Sequence, residues 1–343
     1  MPFAANKRAS RRVCLVRLDR PCLVRAQSIC YRRLVPEPCM MPDVILHQYD
    51  TSPFSEKIRV CLGIKDLAWC AVDQPVIMPK PNLVPLTGGY RRIPVMQIGA
   101  DIYCDSQLIV RELERRFPQQ QLYPAGSEAF ANAVEQMCDK AVFQSAVVAI
   151  FGSIGENVDP AFIKDREALS GQPFNVAAMK ALAPFAITQI KAHAALLAQQ
   201  LADGRAFLAG TDPCLADAAA YYNFWFVRAF APGIADQFED LAGFDAWYGR
   251  VTAIGHGKRT AMAPAQALEI AAMSQPDEAE TLDCDARLQG MTVALSATDY
   301  GRDPIVGAFA GSTHFSLTVA RDMPELGRVN VHVPRLGYSL SVA

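Results

Sequence analysis

The 343-residue chain is 51% hydrophobic and 20% charged, a composition typical of a soluble globular protein long enough for two or three domains. Its net charge of −2 gives no reason to expect a nucleic acid or an anionic membrane as a partner. The charge is nevertheless uneven, because residues 1–41 hold nine of the 33 Lys and Arg residues and only two acidic residues.

Residues 1–41 are predicted to be a basic extension, either disordered or the result of a start assigned too early, since Met40-Met41 directly precedes the first strand pattern. They lack the apolar core of a signal peptide, and no run in the chain approaches the 18 apolar residues of a membrane span. The ten cysteines contain no Cys-x-x-Cys pair, which argues against a zinc ribbon and a dithiol centre. We therefore expect a cytoplasmic protein with reduced, mostly buried cysteines.

Residues 42–122 are predicted to form a small α/β domain, because strand patterns alternate with helix patterns. The predicted order is strand, helix, strand, a Pro-rich connection, two strands and a last helix, over the segments Val44–Gln48, Pro53–Gly63, Ala68–Val72, Pro94–Ile98, Asp101–Cys104 and Ser106–Arg116. This βαβ-then-ββα order indicates a sandwich of sheet and helices. It contains no Gly-x-Gly-x-x-Gly motif or phosphate loop, which argues against a nucleotide-binding unit.

The rest of the chain changes pattern twice. Residues 127–273 are rich in Ala, with apolar residues at three- and four-residue steps, which predicts an all-helical bundle domain. Residues 274–283 are predicted to be a polar linker. Residues 284–343 contain five short strand patterns with turn signals such as Asp303-Pro304, which predicts a small all-β domain built as a compact barrel or meander.

The first helix of the α/β domain begins with residues that suit an anion. Ser52 is a good N-cap residue, and Pro53 suits the first helical position after a strand. A hydroxyl then lies beside free backbone N–H groups, where a thiolate is stabilised. An ordinary capped helix has the same sequence. Ser55, one turn further on, is the second candidate hydroxyl, although we expect it to be a solvated helix residue.

Three segments resemble the cytosolic glutathione S-transferase family. Ser52-Pro53-Phe54-Ser55-Glu56-Lys57 is similar to the first-helix entry of the serine-type and omega-, zeta- or tau-like members. Arg91-Arg92-Ile93-Pro94-Val95 is similar to the segment before the third strand, and Asp105-Ser106 to the acidic-Ser pair after the fourth. The resemblance covers about residues 44–260. It implies a thioredoxin-like N-terminal domain followed by an all-α domain, with glutathione as co-substrate. No metal is expected, because the five histidines lie far apart in the sequence without ligand spacing.

The resemblance gives the first-helix serine and the proline segment roles in binding and catalysis. Ser52 would donate its hydroxyl to the glutathione sulfur and stabilise the thiolate, without becoming a covalent nucleophile. Ile93, before a cis Pro94, would bind the cysteinyl unit through its backbone N–H and C=O groups. The alternatives are that Ser52 only caps its helix and that Pro94 is a strand-edge proline.

The two ends of glutathione are assigned in the same way. Arg92 would reach the glycyl carboxylate, while Asp105 would pair with the γ-glutamyl ammonium and Ser106 would bind the γ-glutamyl carboxylate at a helix start. Without a ligand nearby, Arg92 would be a solvated charge, and Asp105 and Ser106 would form a simple N-cap pair.

The helical domain carries one further mark of the family. Cys214-Leu215-Ala216-Asp217 is similar to the capping box of a central buried helix, with Cys214 where the family usually has Ser or Thr, and a thiol is a poor cap. By resemblance, the electrophile would bind against this domain. The candidate aromatic residues for that pocket are Phe143, Phe151, Tyr221, Phe224 and Trp225, and the alternative is that they belong to the hydrophobic core, as aromatic residues at helical spacing usually do.

We therefore predict a glutathione transferase that adds the glutathione thiolate to a small apolar electrophile, by conjugation or isomerisation, as in detoxification. A homodimer is expected, with no nucleic acid and no membrane as partner. The alternative is a non-catalytic interaction protein on the same fold, with the C-terminal β domain as a docking surface. Thermal stabilisation by glutathione distinguishes the two hypotheses.

Overall fold

A computed structural model describes residues 44–238 and 241–343, so the predicted extension over residues 1–41 lies outside the described residues. The α/β part has the predicted elements in the predicted order. They are β1 (Ile45–Gln48), α1 (Pro53–Ile64), β2 (Ala68–Asp73), α2 (Val84–Thr87), β3 (Val95–Ile98), β4 (Asp101–Cys104) and α3 (Ser106–Arg116). β1 pairs in parallel with β2, whereas β3 runs antiparallel to both β1 and β4. The thioredoxin-like arrangement is confirmed.

The region predicted to be all-helical is largely helical and also contains one strand. Its helices are α4 (Glu128–Met137), α5 (Phe143–Ile154), α6 (Pro160–Ser170), α7 (Val176–Gln200), α8 (Leu215–Phe230), α9 (Pro232–Ala235), α10 (Phe244–Ile254) and α11 (Pro264–Met273). α8 is the central helix, because it contacts α1 as well as α4 and α5, and twelve of its sixteen residues are buried.

The start of α8 depends on Asp217 more than on the capping residue Cys214. The fully buried Asp217 carboxylate accepts hydrogen bonds from the Leu208 N–H at 2.9 Å, the Cys214 N–H at 3.0 Å and the Trp247 indole N–H at 2.8 Å. The Cys214 thiol donates to the same carboxylate at 3.3 Å. Asp217 therefore offsets the weak cap that the sequence predicted.

One strand within the helical region was not predicted. Lys258–Ala261 forms β5, which pairs in parallel with β2. All four of its residues are exposed, so the segment lacks the alternation of apolar and polar residues that marks a half-buried strand. β5 is therefore an edge strand of the sheet, next to β2.

The prediction of a small C-terminal β domain needs correction. The predicted strands are present as β6 (Thr292–Ala297), β7 (Ile305–Ser312), β8 (Ser316–Met323), β9 (Gly327–Pro334) and β10 (Tyr338–Val342). However, β9 pairs in parallel with β4, which joins all the strands in one ten-stranded sheet of order β10-β6-β7-β8-β9-β4-β3-β1-β2-β5. The C-terminal strands thus extend the N-terminal sheet.

The packing of side chains agrees with this continuous sheet. Val95 and Ile102 of the N-terminal strands share one buried cluster with Val293, Val319 and Val331 of the C-terminal strands. The predicted linker is also held in place. The Asp277 N–H donates to the Asp101 carboxylate at 2.8 Å, so this polar segment is fastened to the N-terminal sheet.

A buried ionic network joins α1 to the helical layer. The fully buried Lys57 ammonium lies 2.9 Å from the Glu135 carboxylate and 2.6 Å from the Asp139 carboxylate. The Tyr222 hydroxyl donates to Asp139 at 3.0 Å. Burial alone would lower the pKa of Lys57, but the two facing carboxylates outweigh it and raise that pKa. Lys57 is therefore a cation at physiological pH.

Two helical stretches, Glu128–Ile154 and Val176–Gln200, are long and apolar enough to cross a membrane by length and composition alone. The first contains α4 and α5, and the second is α7. In the structure α5 packs along α7, as helices of a bundle do. The absence of a membrane partner therefore stays a prediction.

Candidate functional site

The turn between β1 and α1 places a hydroxyl at a helix N-terminus. Ser52 has an extended backbone with φ −79° and ψ 119°, and its side-chain oxygen accepts a hydrogen bond from the Ser55 N–H at 3.2 Å. Pro53 occupies the first helical position. Since the first N–H groups of a helix have no partner within it, this end attracts negative charge.

Ser52 lines a cavity of about 890 Å³. The walls of this cavity come from the β1–α1 turn, the segment before β3, helices α5 and α6, and the loop between β6 and β7. Ser55 does not line it, and its hydroxyl is fully buried without a hydrogen-bond partner among the described residues. The expectation that Ser55 is solvated is wrong, because the next turn of α1 faces the protein interior.

Ile93 lies on the same cavity as Ser52. The Ile93–Pro94 peptide bond is cis, as the resemblance implies, and Ile93 is half-buried. The cavity therefore has a helix N-terminus with a hydroxyl at Ser52 and a non-helical backbone segment at Ile93. Those are two of the features that the resemblance implies for glutathione binding.

Arg92 also lines the cavity, but its guanidinium already binds other residues of the protein. The Nη2 atom of Arg92 lies 2.5 Å from the Asp299 carboxylate and donates to the Tyr300 carbonyl, and the Tyr300 ring centroid is 4.0 Å from the Arg92 guanidinium. Asp299 and Tyr300 belong to the β6–β7 loop, residues 298–304. The Gly301 N–H of this loop donates to the Leu169 carbonyl on α6 at 2.7 Å, so the loop bridges the site.

The structure places Asp105 and Ser106 outside the cavity lining. Asp105 is the N-cap of α3, with a positive φ of 76°, and accepts a hydrogen bond from the Gln107 N–H at 3.1 Å. Its other carboxylate oxygen accepts one from the Tyr338 hydroxyl of β10 at 3.2 Å. Ser106 is buried. The structure therefore brings Ser52, Arg92 and Ile93 to one cavity and does not bring Asp105 and Ser106 to it.

Tyr49 is a site residue that sequence reasoning missed. It directly follows β1 and lines the same cavity as Ser52 and Arg166. Burial raises the pKa of Tyr49, and the Arg166 charge and the Ser52 hydroxyl offset this only in part. Tyr49 therefore keeps its proton at neutral pH. No sequence signal links Tyr49 to Arg166, because 117 residues separate them.

The apolar wall of the cavity comes mainly from the helical region. Of the five aromatic residues expected there, Phe143 and Phe151 line the cavity. The other three do not, and Tyr221 and Phe224 are core residues of α8. The wall also contains Phe162 and Phe174, which pack against Phe151 with ring centroids 5.5 Å and 5.1 Å away.

Among the described residues, no group of three or more His, Cys, Asp or Glu side chains could hold a metal ion. His47 is fully buried between Gln97 and Gln74, and burial lowers its pKa to about 4. His332 lies between Asp101 at 2.8 Å and Thr318 at 2.9 Å. Both histidines are held by hydrogen bonds to protein side chains.

Two segments of the chain match known protein families. Residues 46–121 match the family "Glutathione S-transferase, N-terminal domain", and residues 146–256 match a domain of unknown function, DUF7962. No curated protein matches the chain.

The structure is similar to that of a GST-like protein from Pseudomonas syringae, with 32% sequence identity and a TM-score of 0.70. The alignment covers 88% of this chain and all of that protein. The chain therefore belongs to the glutathione S-transferase-like family.

Two more distant structures align with smaller parts of the chain. A glutathione S-transferase from Rhodospirillum rubrum is 19% identical, with a TM-score of 0.47, over 61% of this chain and 88% of that protein. One from Ceriporiopsis subvermispora, in complex with glutathione, is 19% identical, with a TM-score of 0.48, over 63% of this chain and 98% of that protein.

Proposed function

We propose that this protein is a glutathione transferase in which Ser52 stabilises the glutathione thiolate. The observation that carries the proposal is the position of the Ser52 hydroxyl, at the N-terminus of α1 and on the same cavity as Ile93. A thiol has a pKa of about 8.5, so only a few per cent is thiolate at neutral pH. A hydroxyl donor and a helix N-terminus both favour the anion, and each pKa unit corresponds to about 1.4 kcal/mol.

The acceptor in this proposal is a small molecule with an apolar body. The cavity holds the proposed thiolate site at one side and aromatic side chains such as Phe143 and Phe151 at another. Its volume of about 890 Å³ lies at the upper end of the usual range for ligand pockets, roughly 300–1,000 Å³, which leaves room for a second reactant beside glutathione. The sulfur would form its new bond to an electrophilic carbon of the acceptor.

A second candidate function is a non-catalytic interaction protein on the same fold. One observation favours it. The side chains expected to bind the glycyl and γ-glutamyl ends of glutathione already bind residues of the C-terminal part of the chain. Asp299 pairs with Arg92, and the Tyr338 hydroxyl binds Asp105. The homodimer and the cytoplasmic location remain predictions under either function.

Binding of glutathione is the test that separates the two candidates. For a transferase, 5 mM glutathione is expected to raise the melting temperature by about 2–4 °C, because a ligand at ten times its Kd adds about 1.4 kcal/mol of stability. The control is 5 mM each of glutamate, cysteine and glycine, which should leave the melting temperature unchanged. No shift with glutathione in differential scanning fluorimetry and no heat in titration calorimetry would support the interaction protein.

The contact between Asp299 and Arg92 leads to a prediction about affinity. Asp299→Asn is expected to lower the Kd of glutathione by up to about 5-fold, because a competing carboxylate is removed and a partly exposed ion pair is worth about 1 kcal/mol or less. Titration calorimetry measures this change. Asp322→Asn, which removes an exposed pair with Arg328 elsewhere in the sheet, is the matched control and should have no effect. An unchanged Kd in Asp299→Asn would show that glutathione does not use Arg92.

A further inference from the structure

The cavity carries an excess of positive charge beside its apolar wall. Five basic and three acidic side chains line it. Three of the basic residues, Lys80, Arg91 and Arg166, form what we call the basic corner. Its one acidic member is Asp165, which lies 3.8 Å from Arg91 and 3.2 Å from Arg166. The basic corner therefore has three cations for one carboxylate, and Arg92 is already paired with Asp299.

Lys80 is the least compensated of these cations. The residue is 4% exposed, its ammonium donates to the Pro75 carbonyl, and it forms no ion pair within the part of the chain that the structure describes. Its Nζ atom lies 5.6 Å from the centroid of the Tyr49 ring. A buried charge without a counter-ion is costly, so an anion in the cavity would be bound strongly by this ammonium.

Arg166 connects the basic corner to the aromatic wall. Its guanidinium lies 4.7 Å from the Phe162 ring centroid and donates to the Val76 carbonyl at 2.7 Å. Its Nε–H is buried and has no hydrogen-bond partner among residues 44–238 and 241–343. Phe162 packs with Phe151 and Phe174, so this cation stands at the edge of an aromatic cluster. A ligand that contacts both the Arg166 cation and the aromatic cluster would have an anionic group and an apolar, preferably aromatic, body.

We propose that the acceptor substrate is an organic carboxylate with an aromatic body, and that Lys80 and Arg166 bind its carboxylate. This inference rests on the proposed transferase function. Arg166 belongs to α6, next to the apolar wall, which favours the acceptor over glutathione as the source of the carboxylate. Charge-assisted hydrogen bonds from a guanidinium and an ammonium are among the strongest that a site can offer a carboxylate.

The test compares an acid with its own methyl ester. The substrates are 4-chloro-3,5-dinitrobenzoate and methyl 4-chloro-3,5-dinitrobenzoate. In both, the glutathione sulfur bonds to the ring carbon that carries chlorine, the C–Cl bond breaks, chloride leaves with the electron pair, and the thiol proton goes to water. For Arg166→Gln and Lys80→Gln, KM for the acid is expected to rise at least about 10-fold. KM for the ester and the Kd of glutathione should stay within about 2-fold.

Two further variants exclude a merely structural effect. Lys164→Gln, an exposed residue of α6 outside the cavity lining, should leave both substrates unaffected. Lys80→Arg should keep most of the preference for the acid, because it keeps the positive charge. Burial and the charges of Arg166 and Arg91 lower the pKa of Lys80 to about 8, whereas Asp165 raises it. KM for the acid should therefore increase as the pH rises through about 8, while KM for the ester should not.

Several results would overturn the inference. Equal increases of KM for acid and ester would show that the basic corner only supports the cavity. A rise in the Kd of glutathione, with the acid preference unchanged, would assign the corner to the glycyl carboxylate. If the wild-type protein turns over neither compound and does not bind glutathione, the proposed transferase function fails. Binding of the unreactive pair 3,5-dinitrobenzoate and its methyl ester, measured by calorimetry, then still decides the carboxylate site, since equal affinities would refute it.

Discussion

Ser52→Ala is expected to lower kcat for glutathione conjugation by about 100-fold, the usual cost of removing one preorganised donor to a developing or stabilised anion. The Kd of glutathione should change by less than about 3-fold, because Ile93 and the N–H groups of α1 remain in place. Steady-state kinetics with 1-chloro-2,4-dinitrobenzene and calorimetry measure the two quantities. The pH dependence of kcat/KM should shift to higher pH, because the bound thiol loses a donor to its anion.

Ser55→Ala is the matched control for this prediction. It removes a hydroxyl from the same helix, but one that is buried and away from the cavity. Its kcat should remain within about 2-fold of wild type, and Ser52→Thr, which keeps a hydroxyl, should recover part of the lost activity. Since Ser52 also caps α1, the melting temperature of Ser52→Ala must be compared, with an expected loss of about 1 kcal/mol. Unchanged kcat in Ser52→Ala would remove the catalytic assignment.

Lys57→Met is expected to destabilise the protein by about 3–5 kcal/mol, because it leaves two buried carboxylates without their cation. Burial raises the pKa of Asp139 to about 7, with Glu135 adding to the increase and Lys57 opposing it. When folding raises the pKa of a carboxyl, the free energy of unfolding of the protein falls as the pH rises from the pKa in the unfolded state to the pKa in the folded state. Without Lys57, the opposing effect of its ammonium is lost and the pKa of Asp139 rises further, so the loss of stability should be larger at pH 8 than at pH 5.

Urea unfolding at the two pH values measures this difference. Lys258→Met is the matched control, because Lys258 pairs with Asp66 at 2.8 Å on the surface and both side chains are more than half exposed. Its effect should be about 0.5 kcal/mol or less at either pH. A loss of equal size at both pH values in Lys57→Met would show that the missing packing of the side chain, and not the unpaired carboxylates, is the main cost.

The elements with strong local signals could be predicted from the sequence. Ser52 and Pro53 mark the start of α1, and the turn at Gly99-Ala100 separates β3 from β4. β5 could not be predicted, because its four exposed residues gain their strand conformation from pairing with β2. A strand that forms mainly by backbone pairing has no characteristic residue pattern from which it could be predicted.

Site residues that belong to one local sequence motif could be predicted. Contacts between residues from distant parts of the chain could not. The Ser52 and Ile93 segments each have a local motif, and both reach the cavity. The pairing of Arg92 with Asp299 joins residues 207 positions apart, whose elements come together because β9 pairs with β4 and the loop after β6 contacts α6. A charged residue in a loop gives no sign of such a partner. Asp105 and Ser106 lie outside the cavity lining, and Asp105 binds the hydroxyl of Tyr338, a residue 233 positions away that the sequence does not link to it.

The β4–β9 pairing also affects how this protein is made on the ribosome. Gly327, the first residue of β9, is synthesised 223 residues after Cys104, the last residue of β4. During that interval β4 has an unpaired edge, and the apolar side chains that it shares with the C-terminal strands lack part of their cover. Ribosome-bound chains are therefore expected to expose this edge to edge-to-edge association until β9 has been synthesised.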